Sequence, residues 1–259
     1  MFNMDSQIVI FEGNKKEGIF SKAKKFYKAG TTDEEIYLSI KKARIKLGEK
    51  YNFSGLKMFQ ATQKMKDNDI YPDNRFVLLD DNYMKKEDFF TEEIHADILV
   101  ITNKYKKIAL SHRMADCPIL IIEDRRKGIS AITHCGIYHI NRGLPREFIK
   151  VMLNEFNCKN EDLYLYIGSH IHKENYIYDK YPSIASNKEI WNDAIEEKEG
   201  KFYIDLEKAI ANQINNFNLK EIKVSPINTA TDPSYASHRE ASLGNKEKLG
   251  QNIVGFYYK

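Results

Sequence analysis

Two apolar runs joined by a polar turn sit at the centre of this 259-residue chain and limit what it can fold into. Ile119-Leu120-Ile121-Ile122 leads into Glu123-Asp124-Arg125-Arg126-Lys127-Gly128, and Ile129-Ser130-Ala131-Ile132-Thr133 follows. Short β-branched runs bounded by turn residues predict a strand, a turn and a returning strand. In an antiparallel pair the start of one strand lies beside the end of the other. Here the start carries Met114-Ala115-Asp116-Cys117-Pro118 and the end carries His134-Cys135-Gly136, so a thiol and an imidazole become neighbours. A Cys beside a His serves either as an activated nucleophile or as half of a soft metal site, and both uses need the thiolate. The opposing reading is a packed core thiol, with His134 ending its strand on a carbonyl hydrogen bond. Asp116 directly before Cys117 weighs against it, because a core strand has no packing reason to begin with an ionisable pair.

Composition narrows the function classes. Forty basic and 37 acidic residues leave a net charge of +3, too weak a field to predict a nucleic-acid partner. Lys15-Lys16 and Lys22, Lys24 and Lys25 are only short basic patches. No apolar run approaches the ~20 residues that span a bilayer, and Met1-Phe2-Asn3-Met4-Asp5 lacks the basic and apolar segments of a signal peptide. The expectation is a cytoplasmic protein with no membrane partner. Three cysteines with no close pair argue for reduced thiols, and Cys158 is expected to be inert.

Along the chain, Gln7 to Phe11 reads as an opening strand ended by Gly13. Thr32-Asp33-Glu34-Glu35 is a capping box for a helix whose Ile36, Ile40, Ala43 and Leu47 share one face. Phe76–Leu79, Ala96–Thr102, Lys107–Ser111, Pro118–Glu123 and Ile129–His134 read as strands, as do 162–167 and Asn252–Tyr258. Further helices are predicted at Leu144–Phe156, with Pro145 in the first turn, and at Leu206–Phe217 after Asp205. Asp80-Asp81-Asn82-Tyr83 reads as a polar loop. Strands and helices alternate without a regular βαβ repeat, so the expected class is α+β, mixed β-sheets flanked by helices. No linker-like tract or repeat divides the chain, and residues 1–259 are expected to form one domain.

The Ala115-Asp116-Cys117 and His134-x-Gly136 unit resembles the YfiH-like laccase-domain family. Its members are also called multicopper polyphenol oxidases and, in later assignments, zinc-dependent purine nucleoside phosphorylases. Ala96-Asp97-Ile98-Leu99-Val100-Ile101-Thr102 is similar to the family's A-D-A-L-V-T strand, and Gln60-Ala61-Thr62-Gln63 falls where it has Q-V-H-G. Ile167-Gly168-Ser169-His170-Ile171 resembles its I-G-P-x-I turn and Ser237-His238-Arg239 its S-[YH]-R-R. The correspondence runs from about Gly18 to Lys259.

The resemblance implies a zinc site of His, Cys and His, with Cys117 and His134 as two of its ligands. Thr62 stands where the first His would be, and a neutral hydroxyl is a poor substitute for an imidazole. His112, and His172 beside His170, are the candidate replacements. The family's H-A-G-W-R-G becomes His134-Cys135-Gly136-Ile137-Tyr138-His139, so its Arg is absent and Arg142 is the nearest substitute. Its later cysteine pair is replaced by Glu174-Asn175. Arg239 falls in the matched C-terminal motif as an anion or substrate contact. Thr229, in Asn228-Thr229-Ala230-Thr231-Asp232-Pro233, belongs to a turn-rich loop suited to lining a polar pocket.

The resemblance therefore implies an enzyme of purine nucleoside phosphorylase or adenosine deaminase type, with purine nucleoside and phosphate as partners and zinc as cofactor. Copper fits less well, because one Cys with one or two His cannot build several copper centres. In a metal-free variant Cys117 is the nucleophile, His134 its base, and Asp116 or a carbonyl orients the ring. Thr62, Tyr138 and Glu174 also support an alternative, a catalytically degenerate member that binds a nucleoside or a partner.

Overall fold

The computed structural model describes residues 6–63, 75–85 and 94–259. The chain opens with β1 (Ile8–Gly13), the long helix α1 (Asp33–Tyr51) and β2 (Met58–Thr62). Next come β3 (Phe76–Leu78), the one-turn helix α2 (Asp81–Met84) and β4 (Ile94–His95). Four strands occupy the middle: β5 (Ile98–Thr102), β6 (Ala109–Met114), β7 (Ile119–Asp124) and β8 (Ile129–His134). They lead into α3 (Ile137–Asn141), α4 (Leu144–Asn154) and β9 (Leu163–Ile167). The last third contains β10 (Ile177–Tyr178), α5 (Lys188–Trp191), β11 (Ile195–Lys198) and β12 (Lys201–Ile204). It ends with α6 (Leu206–Ile214), β13 (Glu221–Val224), α7 (His238–Ser242) and β14 (Asn252–Tyr258).

Two mixed sheets form the body. One runs β13-β9-β7-β8-β5-β3, the other β1-β14-β6-β2-β4, and β10-β12-β11 make a small third sheet. Alternation along the strands stacks them. Leu120 and Ile122 of β7, with Ile98 and Val100 of β5, face Phe148 and Ile149 of α4 and Ile210 of α6. Ile119, Ile121, Leu99, Ile101 and Ile132 face the other way, onto Leu110 of β6 and Val254 and Phe256 of β14. The far face of that second sheet, Ile253 and Tyr257, packs against Ala43 and Leu47 of α1. The order is therefore helix, sheet, sheet, helices. A sheet covered on both faces needs strands apolar at every position, which explains the unbroken runs of β5 and β7.

The expected α+β architecture of mixed sheets flanked by helices is the one observed. Thr32 and Glu35 form the capping box of α1, and Ile36, Ile40, Ala43 and Leu47 are buried. Some bounds differ. The 80–83 segment is not a loop, because the Asp80 carboxylate accepts from the Asn82 and Tyr83 N–H groups and caps α2. The short polar side chain that favours turns also caps helices. α4 stops at Asn154, and α6 stops at Ile214 before a single 3-10 turn. The strand expected from Lys107 starts at Ala109, since Lys107 takes a left-handed φ of 59°. It continues to Met114 and so takes in His112.

Candidate functional site

β7 and β8 pair antiparallel with Ile119 opposite His134, and the Cys135 N–H donates to the Pro118 carbonyl at 2.8 Å. Cys117 and His134 thus end at the same corner of the sheet, as the strand–turn–strand pattern predicts. Strand parity brings a second imidazole there. His134 shares a face with Ile132, and His112 with Leu110 and Met114, so each ring points into the space between the two sheets. Their ring centroids lie 6.2 Å apart. A third ring, His139 of α3, meets His134 edge-on at 5.4 Å.

Gly136 is where these groups come together. A Cβ placed on it would lie 3.1 Å from Cys117 Sγ, 3.5 Å from His134 Cε1 and 3.7 Å from His139 Nδ1. The His134 ring has a fixed tautomer. Gln63 Nε2 donates to the Asp97 carbonyl at 2.9 Å and to Thr133 Oγ1 at 3.3 Å, which leaves Gln63 Oε1 to face His134 Nδ1 at 2.9 Å. An amide oxygen only accepts, so Nδ1 carries the proton and Nε2 keeps its lone pair. Gln63, and neither Asp116 nor a carbonyl, therefore orients the imidazole.

Burial keeps the cluster uncharged. Desolvation, reinforced by Arg113 and His139, lowers His112 to about 3. His134 is held well below the usual range by desolvation and then by His139 and His112. His139 falls to about 4 through desolvation and the Arg142 charge. Desolvation, with Asp116 adding to it, pushes the Cys117 thiol up to about 12. At neutral pH the corner holds three neutral imidazoles and a thiol, not a thiolate–imidazolium pair. Neither ring nitrogen of His139, nor Nε2 of His112, has a hydrogen-bond partner among the described residues, although both residues are only 4% exposed.

Asp116 is a hub beneath the thiol. Its left-handed φ of 88° turns the chain out of β6, and its buried carboxylate accepts the Thr229 hydroxyl and the Arg239 N–H, both at 2.7 Å. Thr229 is fully buried. The Arg239 guanidinium lies 4.7 Å over the Tyr178 ring and donates to the Ile177 carbonyl. Tyr176 accepts a hydrogen bond from the Tyr178 hydroxyl at 3.1 Å, and burial raises its own hydroxyl pKa. His172 belongs to another group, 5.2 Å from the His170 ring and 3.6 Å from Glu174. His170 in turn approaches Glu207 at 4.0 Å. Cys158 is buried in the helix-side core.

A pocket opens beside His139, lined by Arg75, Asp97, Arg142, Leu144 and Glu147. Its inner volume is about 20 Å³, room for one water-sized group, so it can take one end of a ligand and not a whole nucleoside. Arg75 pairs with Glu147 at its rim. Desolvation raises the Asp97 carboxyl to about 6 against the opposing pull of Arg142 and Arg75.

Residues 39–254 match the family described as multi-copper polyphenol oxidoreductase laccase. The chain belongs to that family. Among solved structures it is similar to YlmD from Geobacillus stearothermophilus, with a TM-score of 0.77, 15% identity, and 98% and 93% of the two chains covered. A YfiH protein from Bacillus licheniformis aligns with a TM-score of 0.68 and 17% identity over 86% and 82%. At such identities the likeness establishes the fold alone. Proteins named purine nucleoside phosphorylase from Mycobacterium tuberculosis and Mycobacterium bovis are 27% identical over 133 residues, 51% of this chain and 53% of theirs. The chain spans about half the length of these curated relatives.

The family's description names copper. Among the described residues no group of three or more His, Cys, Asp or Glu could hold a metal ion. Sulfur and imidazole donors do lie near one another around Gly136. Neutral imidazoles and a sulfur are ligands for borderline-soft divalent ions, and two of the rings have nitrogens free of other bonds.

The structure brings Cys117, His134 and His112 to one corner, as the sequence suggests, and adds His139 and Gln63, which the sequence did not single out. The five-residue spacing from His134 to His139 was the one readable signal, and it needed the intervening turn to acquire meaning.

Proposed function

We propose that this laccase-family chain acts on purine nucleosides at the Cys117–His134 corner, with phosphate as the second substrate. The observation that carries this reading is the pair Arg142 and Arg75 beside the imidazole cluster, set among Asp97 and Glu147 at a pocket with room for a single phosphate oxygen. Forked guanidinium donors recognise phosphate oxygens, and Arg142 does this in place of the Arg missing at Tyr138. The phosphorylase name of the mycobacterial relatives points to the same substrates.

The reaction is a displacement at the ribosyl carbon. A phosphate oxygen forms the new C–O bond, the C–N bond to the purine breaks, and the base leaves with the electron pair and takes up a proton. Arg142 and Arg75 hold the phosphate charge, and the departing base takes its proton from water. Cys117 and His134 are the residues that would hold zinc, which when bound supplies Lewis-acid activation of phosphate or water. Thr229 and Arg239 act through Asp116, fixing the turn that presents Cys117.

The test is chromatographic. Zinc-treated protein is incubated with adenosine, inosine or guanosine, with and without inorganic phosphate, and free base, ribose 1-phosphate and ammonia are measured. Base release that requires phosphate and vanishes in Cys117→Ala is the expected result, and Arg142→Gln should raise the KM for phosphate more than it lowers kcat. Ammonia without base release would replace phosphorolysis by deamination. Neither product from any nucleoside would overturn the enzymatic reading in favour of a binding role.

A further inference from the structure

Lysines stay at the surface unless something holds their charge, and Lys248 is the one buried lysine among the described residues, 6% exposed at the end of the 3-10 turn Lys246–Lys248. Its ammonium donates to three main-chain carbonyls, those of Thr229 at 2.9 Å, Asp232 at 2.5 Å and Tyr235 at 3.4 Å. All three donors of the group are thereby used, and all on neutral oxygens. What this ring of carbonyls holds is the turn beneath the thiol. Two donors fix the Asp116 carboxylate, the Thr229 hydroxyl on Oδ1 and the Arg239 N–H on Oδ2. Lys248 reaches both. Its side chain binds Thr229 through the carbonyl, and its own carbonyl accepts the Ser237 N–H at 3.0 Å. Ser237 is the N-cap of α7, the helix that carries Arg239. Thr229 and Ser237 are both fully buried. Asp116 takes a left-handed φ of 88°, which few residues adopt without support, and its carbonyl accepts the Ile171 N–H at 2.9 Å. Cys117 is the next residue in the chain.

We infer that Lys248 is a positioning residue for the Cys117 turn, its ammonium acting as a tethered internal cation that closes the Thr229 and Ser237 arms on Asp116. The inference rests on the reading of the Cys117–His134 corner as the reacting site, but the geometry it describes is measured without turnover. A compact ammonium donates to oxygens on three sides, whereas the planar fork of an arginine donates within one plane and a neutral side chain of like length has no donor to offer. Hydrogen bonds from a charged donor are also the stronger ones, so the ammonium holds the 229–235 loop more firmly than a hydroxyl or amide in its place. The loop that the sequence marks as turn-rich therefore serves the site from below, as the support of Asp116.

The experiment follows iodoacetamide alkylation of Cys117 by mass spectrometry in the chelator-stripped full-length parent, Lys248→Met and Lys248→Ala, well below their Tm. Loss of the ammonium should speed alkylation at least about tenfold, the factor that one hydrogen bond to a charged group is worth. Propylammonium supplies the atoms that alanine lacks beyond Cβ, and should return Lys248→Ala toward the parental rate. Propanol, similar in size and uncharged, should not. Lys50→Met removes a lysine that pairs with Glu17 away from the corner, and should leave alkylation unchanged. In the nucleoside assay Lys248→Met should lower kcat by up to about 100-fold, as a small misplacement of a reacting group does, with the KM for phosphate unchanged because Arg142 and Arg75 stand on other elements. Circular dichroism checks folding, and Lys248→Gln, which keeps two N–H donors, replaces Lys248→Met if that variant does not fold. A folded variant alkylated at the parental rate would overturn the assignment. So would a Lys248→Ala rate that propylammonium leaves unchanged, or one that propanol restores equally well. A chain that shows the alkylation effect and cleaves no nucleoside refutes the proposed function and leaves Lys248 as the anchor of this turn.

Discussion

Gly136→Ala separates the stability of the fold from the geometry of the site. Gly136 is the N-cap of α3 with φ −69° and ψ 168°, an extended conformation that alanine adopts without strain. Loss of glycine at an uncapped N-terminus costs about 0.5–1 kcal/mol, and the smaller entropy of the unfolded chain returns about 0.4–1 kcal/mol. Net stability should therefore change by less than about 1 kcal/mol, or roughly 2–4 °C in Tm. The local effect is larger. The new methyl would sit 3.1 Å from Cys117 Sγ, where a relaxed contact is about 3.5–4.0 Å, so the sulfur must retreat by roughly 0.4 Å or more. Ligand positions tolerate about 0.2 Å. Thermal unfolding and cobalt(II) titration of the variant, cobalt standing in for zinc, with base release measured beside them, should show a near-parental Tm and at least a tenfold loss of both affinity and turnover. Parental affinity with an intact thiolate-to-cobalt charge-transfer band would refute the view that the donors meet above Gly136. A Tm loss beyond about 8 °C would show that the backbone, and not the sulfur, absorbs the clash.

Four further outcomes follow from the same contacts. Gln63→Leu removes the acceptor that fixes the His134 tautomer, and should lower cobalt affinity about 10–100-fold with Tm changed by a few degrees; unchanged affinity would show that the ring is held by packing alone. In chelator-stripped protein the folded-state pKa values of His112 and His139 lie below the unfolded value near 6.5, so their contribution to stability is complete above that pH and is lost as pH falls toward about 3 to 4. His112→Leu should flatten the acid limb of a urea-unfolding series by about one proton, and an identical slope would refute the neutral, buried reading. Asp97 has the opposite sign, because its carboxyl is raised from 3.8 to about 6 and its burial is unfavourable once ionised. Asp97→Asn should stabilise the fold at neutral pH relative to pH 4, and a variant less stable at both would mean that the Arg142 and Arg75 charges outweigh desolvation.

Much of this arrangement was legible because its causes are local. β5 and the Ile119–Ile122 run of β7 announce burial on both faces by carrying apolar residues without alternation, and the turn between β7 and β8 is written in Asp124 to Gly128. Cys117 and His134 follow from that pairing alone. His112 follows from parity with Leu110 and Met114, but only once β6 is known to extend past Ser111; Lys107 with its left-handed φ delays the start of the strand to Ala109 without changing that parity. Gln63 reaches His134 across 71 positions of sequence, and no periodicity encodes a contact from the residue just past β2 to β8 in the other sheet. Asp116 was read as a base-orienting carboxylate because it adjoins Cys117. The φ of 88° instead sends its side chain toward Thr229 and the Arg239 N–H, and Asp tolerates that conformation better than most residues.

The thiol decides between the two chemistries open to the corner. A nucleophilic Cys needs a depressed pKa, which usually comes from a cationic neighbour, but the neighbours of Cys117 are neutral rings and the carboxylate of Asp116. Desolvation and the Asp116 carboxylate both push the Cys117 thiol up, to about 12, and desolvation lowers His134, so neither group favours a thiolate–imidazolium pair. The same burial that disables the dyad suits a metal ligand, because a bound cation removes the thiol proton outright and neutral imidazoles need lose nothing. Iodoacetamide tests this directly on chelator-stripped protein. Cys117 should be alkylated far more slowly than a free cysteine at pH 7.5, with the rate still rising at pH 9.5 and mass spectrometry assigning the adduct. A plateau below pH 8 would restore the nucleophile, and with it the metal-free hydrolase reading.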